Sequence, residues 1–153
     1  MPKTSAGILL YRFRENQLEV FLVHPGGPFW ARKDAGAWSI PKGEFQPGED
    51  PLDAARREFR EETGQEIEGQ YLPLTPLKQS GSKIIYAWAV EGNCDEQNIH
   101  SNTFLLEWPP GSGKGQDFPE IDRAGWFKIE SAQQKILKGQ LGLLEELSTK
   151  IFR

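Results

Sequence analysis

Apolar and polar residues along this chain change their period several times, and each change marks an element. Residues 7–13 and 18–23 are rich in β-forming side chains and are joined by the polar stretch Arg14-Glu-Asn-Gln17, which predicts a hairpin. Residues 25–36 are dense in turn formers and predict a surface loop. Trp38-Ser-Ile40 reads as a short strand closed by Pro41. Beyond it the period becomes helical. Asp50 can cap, and Pro51 suits a first helical position, where its missing N–H would have no partner anyway. Leu52, Ala55 and Phe59 then share a face, and Gly64 suits the residue that ends the helix. Residues 68–77 and 83–90 read as strands, the first confined to an edge by Pro73 and Pro76. Residues 103–108 and 125–128 add two more, while 109–119 has no periodicity and is read as a mobile loop. The tail, 131–152, predicts helix with a break at Gly139. Strands on either side of one central helix predict a mixed α/β fold, and 153 residues suit one domain.

Composition narrows the partners. With 18 basic and 22 acidic residues the formal net charge is −4. Such a chain has no long-range attraction for nucleic acid or an anionic membrane, so neither is an expected partner. An anionic ligand would have to be met by local groups or by a metal. Cys94 is the single cysteine, which excludes an internal disulfide and suits the reducing cytosol. The apolar run 6–11 is too short to span a bilayer and lacks a cleavage pattern, so a cytoplasmic location is expected. A monomer or homodimer is expected.

The central helix carries an electrostatic anomaly. Glu58, Glu61 and Glu62 stand at i, i+3 and i+4, on one side of the cylinder, with Glu49 just ahead of it. Like charges so spaced repel. Either the face is solvated and relieved by Arg56, Arg57 and Arg60, or a hard divalent cation sits on it, taking oxygen ligands and keeping other positions for water and phosphate.

Spacing decides between these. Gly43, five residues, Glu49, seven residues, Arg57-Glu58, an apolar Phe59, one residue, Glu61-Glu62, one residue and Gly64 make a pattern of seven fixed identities. This resembles the signature of the Nudix hydrolase family, and the preceding Trp38-Ser-Ile-Pro-Lys-Gly43 is similar to the usual approach to it. Gln65 departs from the pattern, where an aliphatic residue is usual. The resemblance implies a Nudix fold, a mixed sheet packed between helices as an α/β/α sandwich. It implies an Mg²⁺- or Mn²⁺-dependent hydrolase of phosphoanhydrides in small nucleotide substrates, with nucleoside triphosphates or dinucleoside polyphosphates as first choice. Glu58, Glu61 and Glu62, with the carbonyl of Gly43, would hold the metal. Arg57 would pair with Glu49 and fix the loop, and Gly64 would cap. Lys42 would contact a substrate phosphate. Glu61 or Glu120 would act as the base, with Asp122 the rival to Glu120.

Dinucleoside polyphosphate hydrolases of this family often carry a tyrosine at a set distance past the signature. Here Gly81-Ser-Lys83 falls there and Tyr86 comes later, so that subfamily stays open. Pyrophosphate removal from RNA 5′ ends and a non-catalytic nucleotide-binding sensor are the alternatives. The first is opposed by the lack of a basic stripe and the second by the intact signature.

Phe29, Trp30, Arg32 and Lys33 combine rings with cations, either to stack a base and touch phosphate or to plug a Gly/Pro-rich loop. Gly111-Ser-Gly-Lys114 only mimics a phosphate-binding loop, since Gly115 stands where Ser or Thr is required. His24 and His100 lack metal-ligand spacing and read as surface residues at strand ends, and Cys94 has no support as a nucleophile.

Overall fold

A computed structural model describes residues 3–79 and 81–151. The two opening strands, β1 (Lys3–Arg14) and β2 (Gln17–Pro25), are continuous apolar runs because both of their faces are covered. They turn through Glu15 and Asn16, whose φ values of 52° and 65° give a two-residue loop matched to strand twist. Strand β2 also pairs antiparallel with β9 (Ile121–Lys128). On its other edge, β1 runs parallel to β6 (Lys83–Glu91), from Lys3 beside Lys83 to Tyr11 beside Glu91. Short strands complete a mixed seven-stranded sheet: β3 (Lys42–Glu44) on β1, and β4 (Leu72–Pro73) and β5 (Leu77–Lys78) on β6.

Alternate residues of each central strand serve opposite cores. Ala6, Ile8, Leu10, Phe21 and Val23 pack against Ala54, Ala55 and Phe59 of α1 (Pro51–Thr63). Leu9, Leu18, Val20 and Leu22 face the other way, toward Ala132 of α2 (Ile129–Lys135) and Leu143, Leu144 and Leu147 of α3 (Leu141–Ile151). The result is the expected α/β/α sandwich.

Four elements differ from the sequence reading. Trp38-Ser-Ile40 makes isolated bridges, Ser39 to Val23 and Trp38 to Ile136, and no strand. Residues 68–77 yield only the two-residue strand β4 and the first residue of β5, since the prolines leave little backbone that can donate to β6. The supposed loop 109–119 contains β8 (Gly115–Pro119), which pairs with β7 (Thr103–Glu107) as a ribbon separate from the main sheet. The tail breaks at the extended Ile136 rather than at Gly139, which lies within a turn of 3₁₀-helix. Phe152 lies outside the described residues.

Candidate active site

Capping fixes the register of α1. Asp50 accepts the Asp53 N–H at 3.0 Å, and Gly64, with φ of 76°, donates its N–H to the Arg60 carbonyl at 2.7 Å. Gln65 uses its amide to hold a loop instead of packing apolar surface: its Nε2 donates to the Asp95 and Asn98 carbonyls, and its Oε1 accepts from the Asp95 N–H.

This register turns the glutamates toward β3. Gly43 lies so close to Glu58 that a Cβ there would stand 2.0 Å from Glu58 Oε2. The missing side chain is what lets the carboxylate lie against the strand. The Lys42 backbone N–H donates to Glu62 Oε1 at 3.2 Å. Arg57 meets Glu49 with a two-pronged fork, Nε to Oε2 at 2.9 Å and Nη2 to Oε1 at 3.1 Å. Its Nη1 donates to Glu58 Oε1 at 2.8 Å and to Glu61 Oε2 at 3.1 Å. One guanidinium therefore ties the loop to the helix and lies between two carboxylates.

Glu120 is delivered by backbone bonds. The Glu120 N–H donates to the Asn102 carbonyl at 2.8 Å, and the Asn102 N–H donates to the Glu61 carbonyl at 3.0 Å. The Glu120 carbonyl in turn accepts the Gly26 N–H at 2.8 Å. Its carboxylate makes no hydrogen bond or ion pair among the described residues. Asp122 is turned away and bonds His24 at 2.8 Å.

The electrostatics mark a crowded acidic site. Burial pushes Glu62 up to about 8, against the pull of Lys42, which outweighs the smaller repulsion from Glu58 and Glu120. Glu58 is raised by burial and by Glu61, against the pull of Arg57. Glu120 is raised by desolvation and by Glu61. Glu49, by contrast, is held below its ordinary value by its bonds to Arg57. Among the described residues no group of three carboxylates is drawn together tightly enough to cage an ion as it stands. The donor set nevertheless fits a hard cation: all oxygen, mutually repelling, and already bridged by the positive charge of Arg57.

Beside Gly43 lies a cavity of about 480 Å³, whose wall includes Trp30, Lys42, Gln79, Lys3 and Lys83. Trp30 thus shares a wall with Lys42 and Gly43, and the Lys33 ammonium lies 5.0 Å from its ring. Phe29 does not line this cavity; it packs edge-on against Trp108 at 5.5 Å. Arg32 is exposed and bonds no described residue. Lys3 and Lys83 carry no motif in the sequence. The parallel register of β1 and β6 sets them side by side, and only a topology could have revealed them.

His24 corrects the sequence reading: it is fully buried, with Nδ1 2.8 Å from Asp122 Oδ1 and Nε2 2.6 Å from the Lys33 carbonyl oxygen. Cys94 is buried and free, and its thiol is pushed up to about 12, which removes it as a nucleophile. Gly111-Ser-Gly-Lys114 lies in the turn between β7 and β8.

A family model described as the NUDIX domain matches residues 1–147. Among solved structures, an Ap4A hydrolase binary complex from C. elegans superposes with a TM-score of 0.67 at 21% identity, covering 98% of both chains. The NUDIX domain of Shewanella oneidensis NrtR, complexed with ADP ribose, gives 0.68 at 16% identity over 99% of this chain and 89% of that one. A mutT/nudix family protein from Listeria innocua gives 0.66 at 18% identity, with 99% and 96% covered.

Proposed function

The chain belongs to the Nudix family and is a Nudix hydrolase, and from that premise we propose that it is a magnesium-dependent pyrophosphohydrolase of nucleoside triphosphates or dinucleoside polyphosphates. One observation carries this reading: Glu58, Glu61, Glu62 and Glu120 repel one another, and Gly43, against Glu58, also lines a cavity whose wall holds Lys3, Lys42 and Lys83 together with Glu44. Clustered oxygen donors with ammonium groups nearby suit a substrate that is a chain of phosphates.

Glu58, Glu61 and Glu62, with the Gly43 carbonyl, would hold Mg²⁺ or Mn²⁺. When bound, the cation neutralises phosphate charge and makes a water easier to deprotonate. Glu120 takes the proton of the attacking water. It suits the task better than Glu61, one of whose oxygens accepts from Arg57, while no described group claims the Glu120 carboxylate. Water attacks phosphorus in line, the phosphoanhydride bond breaks, and the leaving phosphate carries away the bonding electrons. Lys42, Lys3 and Lys83 bind the phosphates that do not react. Trp30 offers a ring on which a base can stack, and Phe29 stiffens the loop through Trp108. Arg32 is a second cation for the substrate's outer end. Arg57 acts on structure by fixing Glu49 and the loop that starts at Gly43. No described helix is long and apolar enough to cross a membrane. A cytoplasmic setting and a nucleotide rather than a nucleic-acid substrate complete the proposal.

The test is a screen of purified protein against nucleoside triphosphates, dinucleoside polyphosphates, ADP-ribose and nucleotide sugars, read by chromatography. Turnover is expected for the first two groups, lost with EDTA and restored by Mg²⁺ or Mn²⁺. Full turnover in chelator would remove the mechanism. A preference for ADP-ribose or a nucleotide sugar would remove the polyphosphate assignment.

A further inference from the structure

His24 is the next-to-last residue of β2, with no exposed surface, and both of its ring nitrogens face oxygen. The Lys33 carbonyl, 2.6 Å from Nε2, can only accept, so Nε2 carries a proton. Nδ1 lies 2.8 Å from a carboxylate oxygen of Asp122. Asp122 is partly open to solvent, and the Arg123 guanidinium lies 3.5 Å from its other oxygen. Each ring nitrogen is therefore held by a different segment. Other charged groups gather around the imidazole and the Trp38 ring stacked edge-on 5.1 Å away. Arg123 from β9 lies over Trp38, Asp34 from the loop accepts the Trp38 indole N–H, and Lys135 from α2 pairs with Asp34.

The two bonds join two parts of the site. Lys33 belongs to the loop that carries Phe29 and Trp30, and its own N–H donates to the Trp30 carbonyl at 2.9 Å. Asp122 lies two residues beyond Glu120. Between them Gly26 passes so close to Pro119 that a Cβ would stand 2.0 Å from the Pro119 carbonyl oxygen, and its N–H bonds Glu120. We propose that His24 is a positioning residue: a buried imidazole whose two hydrogen bonds latch the aromatic loop to the segment bearing Glu120, so that one ring sets both the substrate wall and the base. The structural half stands on geometry alone; the catalytic half rests on the role proposed above for Glu120.

Asp122→Asn and Asp122→Ala separate these ideas without burying a new charge. In Asp122→Asn the amide N–H can donate to Nδ1 while Nε2 still donates to Lys33, so both bonds survive. Asp122→Ala removes one bond. Hydrogen exchange at the Gly26 and Lys33 amides should speed up in Asp122→Ala and return toward the parent rate in Asp122→Asn. With a substrate from the screen, Asp122→Ala should raise KM and lower kcat, each by about tenfold, and Asp122→Asn should recover most of both. Unchanged exchange in Asp122→Ala overturns the latch, and altered exchange with unchanged KM and kcat overturns its link to catalysis. If the exchange data come out as expected and no nucleotide is turned over, the latch stands and the proposed activity falls.

Discussion

Glu62 shows how far one side chain can be held from its preferred state. Burial pushes its carboxyl group up to about 8 from an ordinary 4.5, even against the pull of Lys42. A group raised in this way keeps, in the folded state, a proton that the unfolded chain has already lost. Stability is therefore greatest below about pH 4.5 as far as this group is concerned, and it drains away as the pH climbs toward 8. In chelator, the melting temperature should fall between about pH 5 and 8, and Glu62→Gln should flatten most of that slope while lowering the rate by orders of magnitude. A melting temperature that rises over the same range would contradict the burial of the charge. Gly43 offers the complementary experiment. In Gly43→Ala the three atoms nearest the new methyl group all belong to the tip of Glu58, which can swing aside. The protein should melt within a few degrees of the parent, yet turnover should drop about a hundredfold, because a ligand displaced by an ångström is a ligand lost. Near-normal turnover would mean that the Glu58 carboxylate does not need that cradle.

Elements with their own local code were legible in the sequence, and elements made by partners were not. Helix α1 announced itself through its cap, its proline, its apolar face and its terminal glycine. Strand β3, Lys42-Gly-Glu44, holds no large apolar residue and exists because β1 offers it a ladder. Strand β8 was hidden because Gly115, Gln116 and Asp117 are all exposed, which leaves Phe118 as its single half-buried residue and no alternation to read. The break in the tail was misplaced because its cause lies a hundred residues away. Trp38 donates to the Lys135 carbonyl and accepts the Leu137 N–H, which pulls the backbone at Ile136 straight. His24 was misread for a related reason: a strand-end position does not reveal that a loop will fold over it. The site divides along the same line, with the glutamates of α1 visible from spacing and the lysine-lined cavity visible only from topology. The cap itself can be tested. Asp50→Ala should cost about 1 kcal/mol and lower the melting temperature with little change in turnover, since the glutamates lie at the far end of the helix. No loss of stability would mean that the first turn is held by other contacts.

At the scale of the whole molecule, cation binding and folding share one free energy. A ligand that binds only the folded chain stabilises it by about 2.7 kcal/mol at a hundred times its dissociation constant. Adding Mg²⁺ at neutral pH should therefore raise the melting temperature of the parent protein and leave that of a Glu58→Gln, Glu62→Gln double variant nearly unmoved; equal shifts in both would place the ion elsewhere. The sheet that carries this site has a further property. Its central ladder joins β1 to β6, strands about eighty residues apart in the chain and parallel to each other. As the chain leaves the ribosome, the β1–β2 hairpin can form at once, but one long edge of β1 must wait, unpaired, until β6 emerges. Closure of that ladder encloses more than half the sequence in a single loop, which makes it the natural bottleneck of folding. During that delay the open edge is the molecule's point of exposure to its neighbours, so chaperone demand and aggregation during synthesis should track the speed of translation between β2 and β6 rather than the final stability of the enzyme.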